Sequence, residues 1–97
     1  MLNSKQRAQL KSLATNEPAI FQVGKGGISS ALIKQVDDAL TARELIKLGG
    51  LETMEESPKA TAAAIAEAVG AEVVQVIGRK MIFYRENKEN KKIFLKK

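Results

Sequence analysis

Ala19-Ile20-Phe21-Gln22-Val23-Gly24-Lys25-Gly26-Gly27-Ile28-Ser29 reads as a strand, a bare turn and a helix start in succession. Ile20, Phe21 and Val23 form an apolar run suited to a buried strand. Glycine permits the backbone to turn with positive φ and to come close to a ligand. Ser29 is a good N-cap, and the helix it opens carries Leu32, Ile33, Val36 and Leu40 on one face. Strand, glycine turn and helix N-terminus together make a cradle for an anion, because the first amides of a helix lack partners within it.

Outward from this segment the chain keeps alternating. A first helix is expected from a Ser4 cap to about Thr15, with Leu10, Leu13 and Ala14 as its apolar face and Leu2 stapling its start. Asn16-Glu17-Pro18 ends it, since the residue before proline is pushed out of helical geometry. Arg43 to Leu48 reads as a second strand, which Gly49-Gly50 should weaken or bend. Ser57-Pro58 starts a third, alanine-rich helix. Ala62, Ile65, Ala66 and Val69 are its packing side, and Gly70 is its C-terminal cap. Glu72 to Ile77 and Met81 to Tyr84 are strands joined by Gly78-Arg79-Lys80 as a hairpin. The order α-β-α-β-α-β-β predicts an α/β fold. It is a single compact domain with a mixed four-stranded sheet packed against helices.

Ninety-seven residues suit one such domain. The chain has neither cysteine nor histidine. That removes disulfides, the usual zinc sites and nucleophiles activated by histidine. No apolar run approaches membrane-spanning length, and no signal peptide is visible at the polar N-terminus. Asp37-Asp38 and Glu55-Glu56 are the paired carboxylates. Adjacent residues on a helix point about 100° apart, so Asp37 and Asp38 do not converge. No catalytic constellation, metal site or cofactor is expected.

The net charge of +5 is uneven. Residues 1–84 hold ten basic and nine acidic residues. Residues 86–97 form a basic tail; counted from Arg85, the end of the chain holds six basic residues against two acidic. A basic segment of this kind suits a polyanion. Gly24 to Gly27 also fits G-x-x-G but lacks the Lys-Ser or Lys-Thr of a nucleotide-triphosphate loop. A clamp on a nucleic-acid backbone fits it better, although a turn that needs glycine for geometry alone has the same signature. Tyr84 is a candidate for stacking on a base.

Four stretches then carry a resemblance. They are Ser4 to Arg7 with Leu10 and Leu13; Val23 to Gly27; Ile33 to Lys47, including Ala42-Arg43-Glu44-Leu45-Ile46-Lys47; and Ala64 to Tyr84, including Ala71 to Lys80. In this order the chain resembles the CRM domain, the module named for chloroplast RNA splicing and ribosome maturation, in its stand-alone bacterial YhbY-like type. The resemblance implies a fold similar to the KH domain and to the C-terminal domain of translation initiation factor three. It also implies binding to ribosomal RNA in precursors of the large subunit, and a part in ribosome assembly. The G-x-x-G loop falls on Gly24, Lys25, Gly26 and Gly27, and the family's Gly-Arg-Lys turn falls on Gly78 to Lys80. Two departures stand out: Gly49-Gly50, where strand residues belong, and the extra glycine Gly26.

The expectation is therefore a non-enzymatic RNA-binding domain over residues 1–85 followed by the tail. Gly24 to Gly27 would hold phosphates, and Arg79 and Lys80 would make a second contact. Lys34, Arg43 and Lys47 would extend a basic strip. Lys5, Arg7 and Lys11 of the first helix, with the tail, would add nonspecific attraction. Such a protein would work in the cytoplasm as a monomer, with no membrane and no small-molecule substrate. Two rivals are a ribosome-associated adaptor docking through Ile93-Phe94-Leu95 and a small-molecule phosphate enzyme.

Overall fold

A computed structural model describes residues 2–89 and 91–95. The elements follow the expected order: α1 (Ser4–Ala14), β1 (Phe21–Val23), α2 (Ser30–Arg43), β2 (Leu45–Gly50), α3 (Pro58–Val69), β3 (Glu72–Ile77) and β4 (Lys80–Tyr84). The four strands make one mixed sheet in the order β1-β2-β4-β3. β1 and β2 run parallel through the α2 crossover, while β4 is antiparallel to both β2 and β3.

Strand alternation sends successive side chains to opposite faces, so the sheet builds two cores. On one face Val23, Ile46, Leu48, Met81 and Phe83 pack against Leu32, Val36 and Leu40 of α2 and Ala62, Ile65, Ala66 and Val69 of α3. On the other, Leu45, Val74, Ile82 and Tyr84 pack against Leu10 and Ala14 of α1, with Leu2, Ile93 and Leu95 around them. The tail thus folds back across the α1 face without adding a strand, and Gln9 Nε2 donates to the Phe94 carbonyl at 3.0 Å.

Local signals account for most boundaries. Ser29 and Ser57 accept the amides of Leu32 and Ala60, each at 3.1 Å, as N-caps do. Gly70 ends α3 in the left-handed conformation at φ +68°. The first helix departs from expectation. Its cap is Asn3 rather than Ser4, because Asn3 and Gln6 form a reciprocal capping box. Leu13 lies outside the packed face and is 46% exposed.

The second strand also differs. Arg43 is the last residue of α2, Glu44 is its C-cap, and the strand runs on through Gly49-Gly50. These glycines do not bend the strand out of the sheet; they pair with Gln22 and Val23 of β1, and Gly49 also pairs with Lys80 of β4. A Cβ on Gly49 would lie 2.6 Å from Gln22 Oε1, and one on Gly50 would lie 2.6 Å from Met54 Cε. The missing side chains leave the room that Gln22 and Met54 occupy. Among the described residues no helix is long and apolar enough to cross a membrane.

Candidate nucleic-acid interface

The parallel pairing of β1 and β2 fixes where the glycine loop lies. Both strands leave the sheet at the same edge, and antiparallel β4 enters there. Val23 pairs with Gly50 on one side of β2, and the Gly50 amide donates to the Arg79 carbonyl at 2.7 Å on the other. Gly24 and Arg79 therefore flank β2, separated by roughly two strand spacings, about 10 Å. Gly24-Lys25-Gly26-Gly27 and Gly78-Arg79-Lys80, 50 residues apart in sequence, share one rim.

Within the loop, the Gly27 amide donates to the Gly24 carbonyl at 2.9 Å and closes a tight turn. Gly27 sits at φ +64°, which favours glycine. Lys25 and Gly26 face solvent, and a Cβ added at Gly26 would meet nothing within 4 Å. The main chain at Gly26 is thus open to close approach. The N-terminus of α2 lies two residues beyond, adding its positive end.

Arg79 is exposed and reaches Glu52 at 3.7 Å, a loose surface pair. Lys80 is opposite Gly49, and Lys47 is opposite Ile82. Lys47 and Lys80 are thus diagonal neighbours on the α1 face of the sheet, roughly 7–8 Å apart at the backbone. They stand on the half of that face nearest the rim. Lys34 is on the second turn of α2 and pairs with Asp38 at 3.6 Å.

Other cations named from the sequence are placed elsewhere. Arg43 ends α2, roughly 20 Å along the helix from the glycine loop, and shares a shallow groove with Glu17 and Lys92. Lys5 is exposed and Lys11 half-buried on α1. Arg7 is engaged inside the fold. Its Nη1 donates to the carbonyls of Val73 and Val74 at 2.6 and 3.0 Å, where a bulge in β3 turns both toward α1. Tyr84 is buried in the α1-side core at 4% exposure, so it offers no stacking surface. Burial, with Glu44 and Glu86 nearby, holds its phenol above the ordinary value of 10.0.

The tail is less free than its composition suggests. Arg85 donates to Asp37 Oδ1 at 2.5 Å, the Asp37 carbonyl at 2.9 Å, Thr41 Oγ1 at 2.8 Å and the Val69 carbonyl at 2.8 Å. It ties α2 to the end of α3 rather than waiting for a polyanion. Lys91 pairs with Glu86 at 3.4 Å and stacks 5.7 Å from the Phe94 ring centre. Lys88 and Lys92 are exposed, while Lys96 and Lys97 lie outside the described residues.

Sequence reading passed over Glu44, which is fully buried. It sits at φ 65°, the only non-glycine residue with positive φ among those described. Its Oε2 accepts the Asn87 amide at 2.7 Å, and its Oε1 accepts the amides of Lys92 and Ile93. Its carbonyl accepts the Arg85 amide at 2.9 Å. Burial pushes the carboxyl's pKa up. The three amides and the Lys91 charge outweigh that and hold it below the ordinary 4.5. The local cue was a charged residue directly before the apolar Leu45-Ile46, but its partners lie more than 40 residues downstream.

The chain as a whole is similar to known proteins. The family described as the CRS1 / YhbY (CRM) domain matches residues 2–85. The chain is 45% identical over 95 residues to "Probable RNA-binding protein YqeI" of Bacillus subtilis, covering 98% of this chain and 99% of that one. It is 30% identical over 90 residues to an "RNA-binding protein" of Haemophilus influenzae, covering 93% and 91%. The solution structure of the hypothetical protein SAV1595 from Staphylococcus aureus superposes with a TM-score of 0.83 at 50% identity, covering 99% of this chain and 100% of that one.

Proposed function

The chain belongs to the CRS1 / YhbY (CRM) domain family, and we propose that it is a non-enzymatic RNA-binding protein of the cytoplasm. In this reading it grips ribosomal RNA in precursors of the large subunit and assists their assembly as a monomer. The observation that carries the proposal is the convergence of Gly24 to Gly27 and Gly78 to Lys80 on one rim of the sheet.

The grip follows from the groups present. The main-chain amide of Gly26 and the α2 N-terminus hold a phosphate, and Lys25 adds charge; the Gly27 amide, expected from the sequence to share this role, is instead used by the Gly24 carbonyl to close the turn. Arg79 exchanges its loose pair with Glu52 for a second phosphate. Lys80 and Lys47 continue the track onto the open half of the sheet. Lys34 flanks it from α2. Arg43, Lys5, Lys11 and the exposed tail lysines contribute only long-range attraction, since they stand away from the rim. Arg7 contributes by holding α1 to the sheet.

The test is the affinity of wild type and Gly27→Asp for ribosomal RNA fragments, after circular dichroism shows both folded. A carboxylate placed in the loop should weaken binding at least tenfold and flatten its salt dependence. Equal affinities would overturn the loop assignment.

A docking role for the tail has one supporting observation, the 73% exposure of Phe94. Its neighbours Ile93 and Leu95 are turned inward onto the α1-side core, so most of the apolar triplet is already used within the domain. If Phe94→Ala abolishes association with pre-ribosomes while leaving naked-RNA affinity intact, the adaptor reading replaces this one.

A further inference from the structure

Behind the glycine loop lies a cleft of about 330 Å³, bounded on the other side by the β2–α3 connection and the start of α3. Ile28, Met54, Ala60 and Ala64 make its floor mostly apolar, with the buried Thr61 as its one hydroxyl. Lys25, Gly26 and Gly27 form one wall, in which the two glycines offer main chain alone. Across from them stand Glu55 and Glu56, exposed and in no ion pair among the described residues.

Two carboxylates against the single ammonium of Lys25 leave the cleft net negative, so a phosphate belongs at its Lys25 rim rather than deep inside beside Glu55 and Glu56. What enters the cleft must be flat enough to lie on an apolar floor beside bare backbone. It must also present N–H donors, because ionised carboxylates only accept hydrogen bonds. Volumes near 300 Å³ are the lower end for small-ligand pockets, which suits one ring system rather than a helix or strand. A group with an anion on one side, a flat ring in between and a donor edge on the other is a nucleotide.

Resting on the RNA-binding reading above, we propose that this cleft receives one unpaired base of the bound RNA and reads it as guanine through Glu55 and Glu56. Guanine carries adjacent donors on its Watson–Crick edge, the N1–H and the N2 amino group, which match the paired oxygens of a carboxylate. Cytosine and adenine offer one amino group beside an acceptor that would face the carboxylate. Uracil offers a single N–H between two carbonyls. The glycine loop would thus fix the strand by its phosphate while the acidic wall supplies base selection, and Ile28, 39% exposed, would be covered by the ring.

The test uses an RNA hairpin whose loop presents one variable unpaired nucleotide: guanosine, inosine, adenosine, cytidine or uridine. Wild type should prefer guanosine about tenfold over adenosine, cytidine and uridine. Inosine, lacking the N2 amino group, should fall between. The E55Q/E56Q variant separates a reading wall from a bystander. Removing two negative charges should raise affinity for every hairpin and at the same time reduce the guanosine preference to within about twofold. Ala64→Leu, at an exposed position on the cleft floor, should lose the preference without loss of thermal stability.

If wild type binds all five hairpins equally while Gly27→Asp still weakens binding, base reading is overturned and the backbone grip stands. If E55Q/E56Q raises affinity with the preference intact, the glutamates are not the readers and the proposal fails. If no RNA is bound by either protein, both readings fail together.

Discussion

The Glu44 carboxylate accepts the backbone amide of Ile93 at 2.7 Å, across 49 residues of chain. Together with the amides of Asn87 and Lys92, this contact makes one buried side chain the anchor of the C-terminal segment at Asn87, Lys92 and Ile93. Glu44→Ala should therefore destabilise the domain by about 2–4 kcal/mol, since it leaves buried donors unsatisfied and opens space beneath the tail. Glu44→Gln should cost less, about 1–2 kcal/mol, because its carbonyl oxygen still accepts. Urea unfolding gives the energies. Hydrogen exchange at Asn87, Lys92 and Ile93 should accelerate in both variants more than exchange in β4.

The same carboxyl sets an acid limit. Its pKa in the folded protein lies below the ordinary 4.5. Its ionised form thus contributes stability that is complete above that ordinary value and is lost as pH falls through the lower, folded value. Wild type should lose stability below about pH 4.5, with the tail amides exchanging first, and Glu44→Gln should show a shallower acid slope. Urea midpoints at neutral pH and near pH 3 would reveal the difference.

Arg7 and Arg79 should separate cleanly. Arg7→Ala removes hydrogen bonds to the Val73 and Val74 carbonyls and should cost about 1–3 kcal/mol of stability. Arg79→Ala breaks only a loose pair at 3.7 Å and should change stability by less than about 0.5 kcal/mol. RNA affinity should respond in the opposite sense. Arg79→Ala should lower it and reduce the slope of log affinity against log salt by about one. Arg7→Ala, measured where it remains folded, should keep the wild-type slope.

Gly26 and Gly27 provide a second pair of opposites. Gly27→Ala places a side chain at φ +64° and should cost about 1 kcal/mol of stability. Gly26→Ala fits in open space and should leave stability within about 0.5 kcal/mol. A phosphate seated against the Gly26 main chain would meet the new methyl group, so RNA affinity should fall several-fold without any change in the unfolding midpoint. Titration of a ribosomal RNA fragment alongside thermal melts would check both.

Much of the architecture was legible because its signals are local. Ser29, Ser57 and Gly70 announce helix ends through the atoms they offer to their own neighbours. The spacing of Leu32, Val36 and Leu40 announces a buried face through helical geometry alone. Gly49-Gly50 misled because a strand interior normally avoids glycine. The reason for tolerating it, room for Gln22 and Met54, exists only after β1 and the loop after β2 are in place. The candidate rim was legible as two separate turns. Their meeting depends on the strand order β1-β2-β4-β3, which no local pattern encodes. Arg7, Arg85 and Glu44 carry ordinary charges, and their structural use lies with carbonyls, amides and carboxylates 16 to 67 residues away. Counting such residues as surface charge overstates what a polyanion can reach.

The Glu44 anchor also has a consequence for synthesis. A chain made from its N-terminus exposes Glu44 to water long before Asn87 and Ile93 have been added, so the carboxylate stays hydrated while the sheet and α3 assemble. The part of the α1-side core that Ile93 and Leu95 pack against remains uncovered over the same interval. The last layer of the domain can close only when the segment through Leu95 has cleared the exit tunnel, and the nascent protein spends that delay with the margin of its α1-side core open. A stalled or prematurely terminated chain would thus carry a nearly complete fold with a sticky side, which marks it for capture by chaperones or proteases rather than for service.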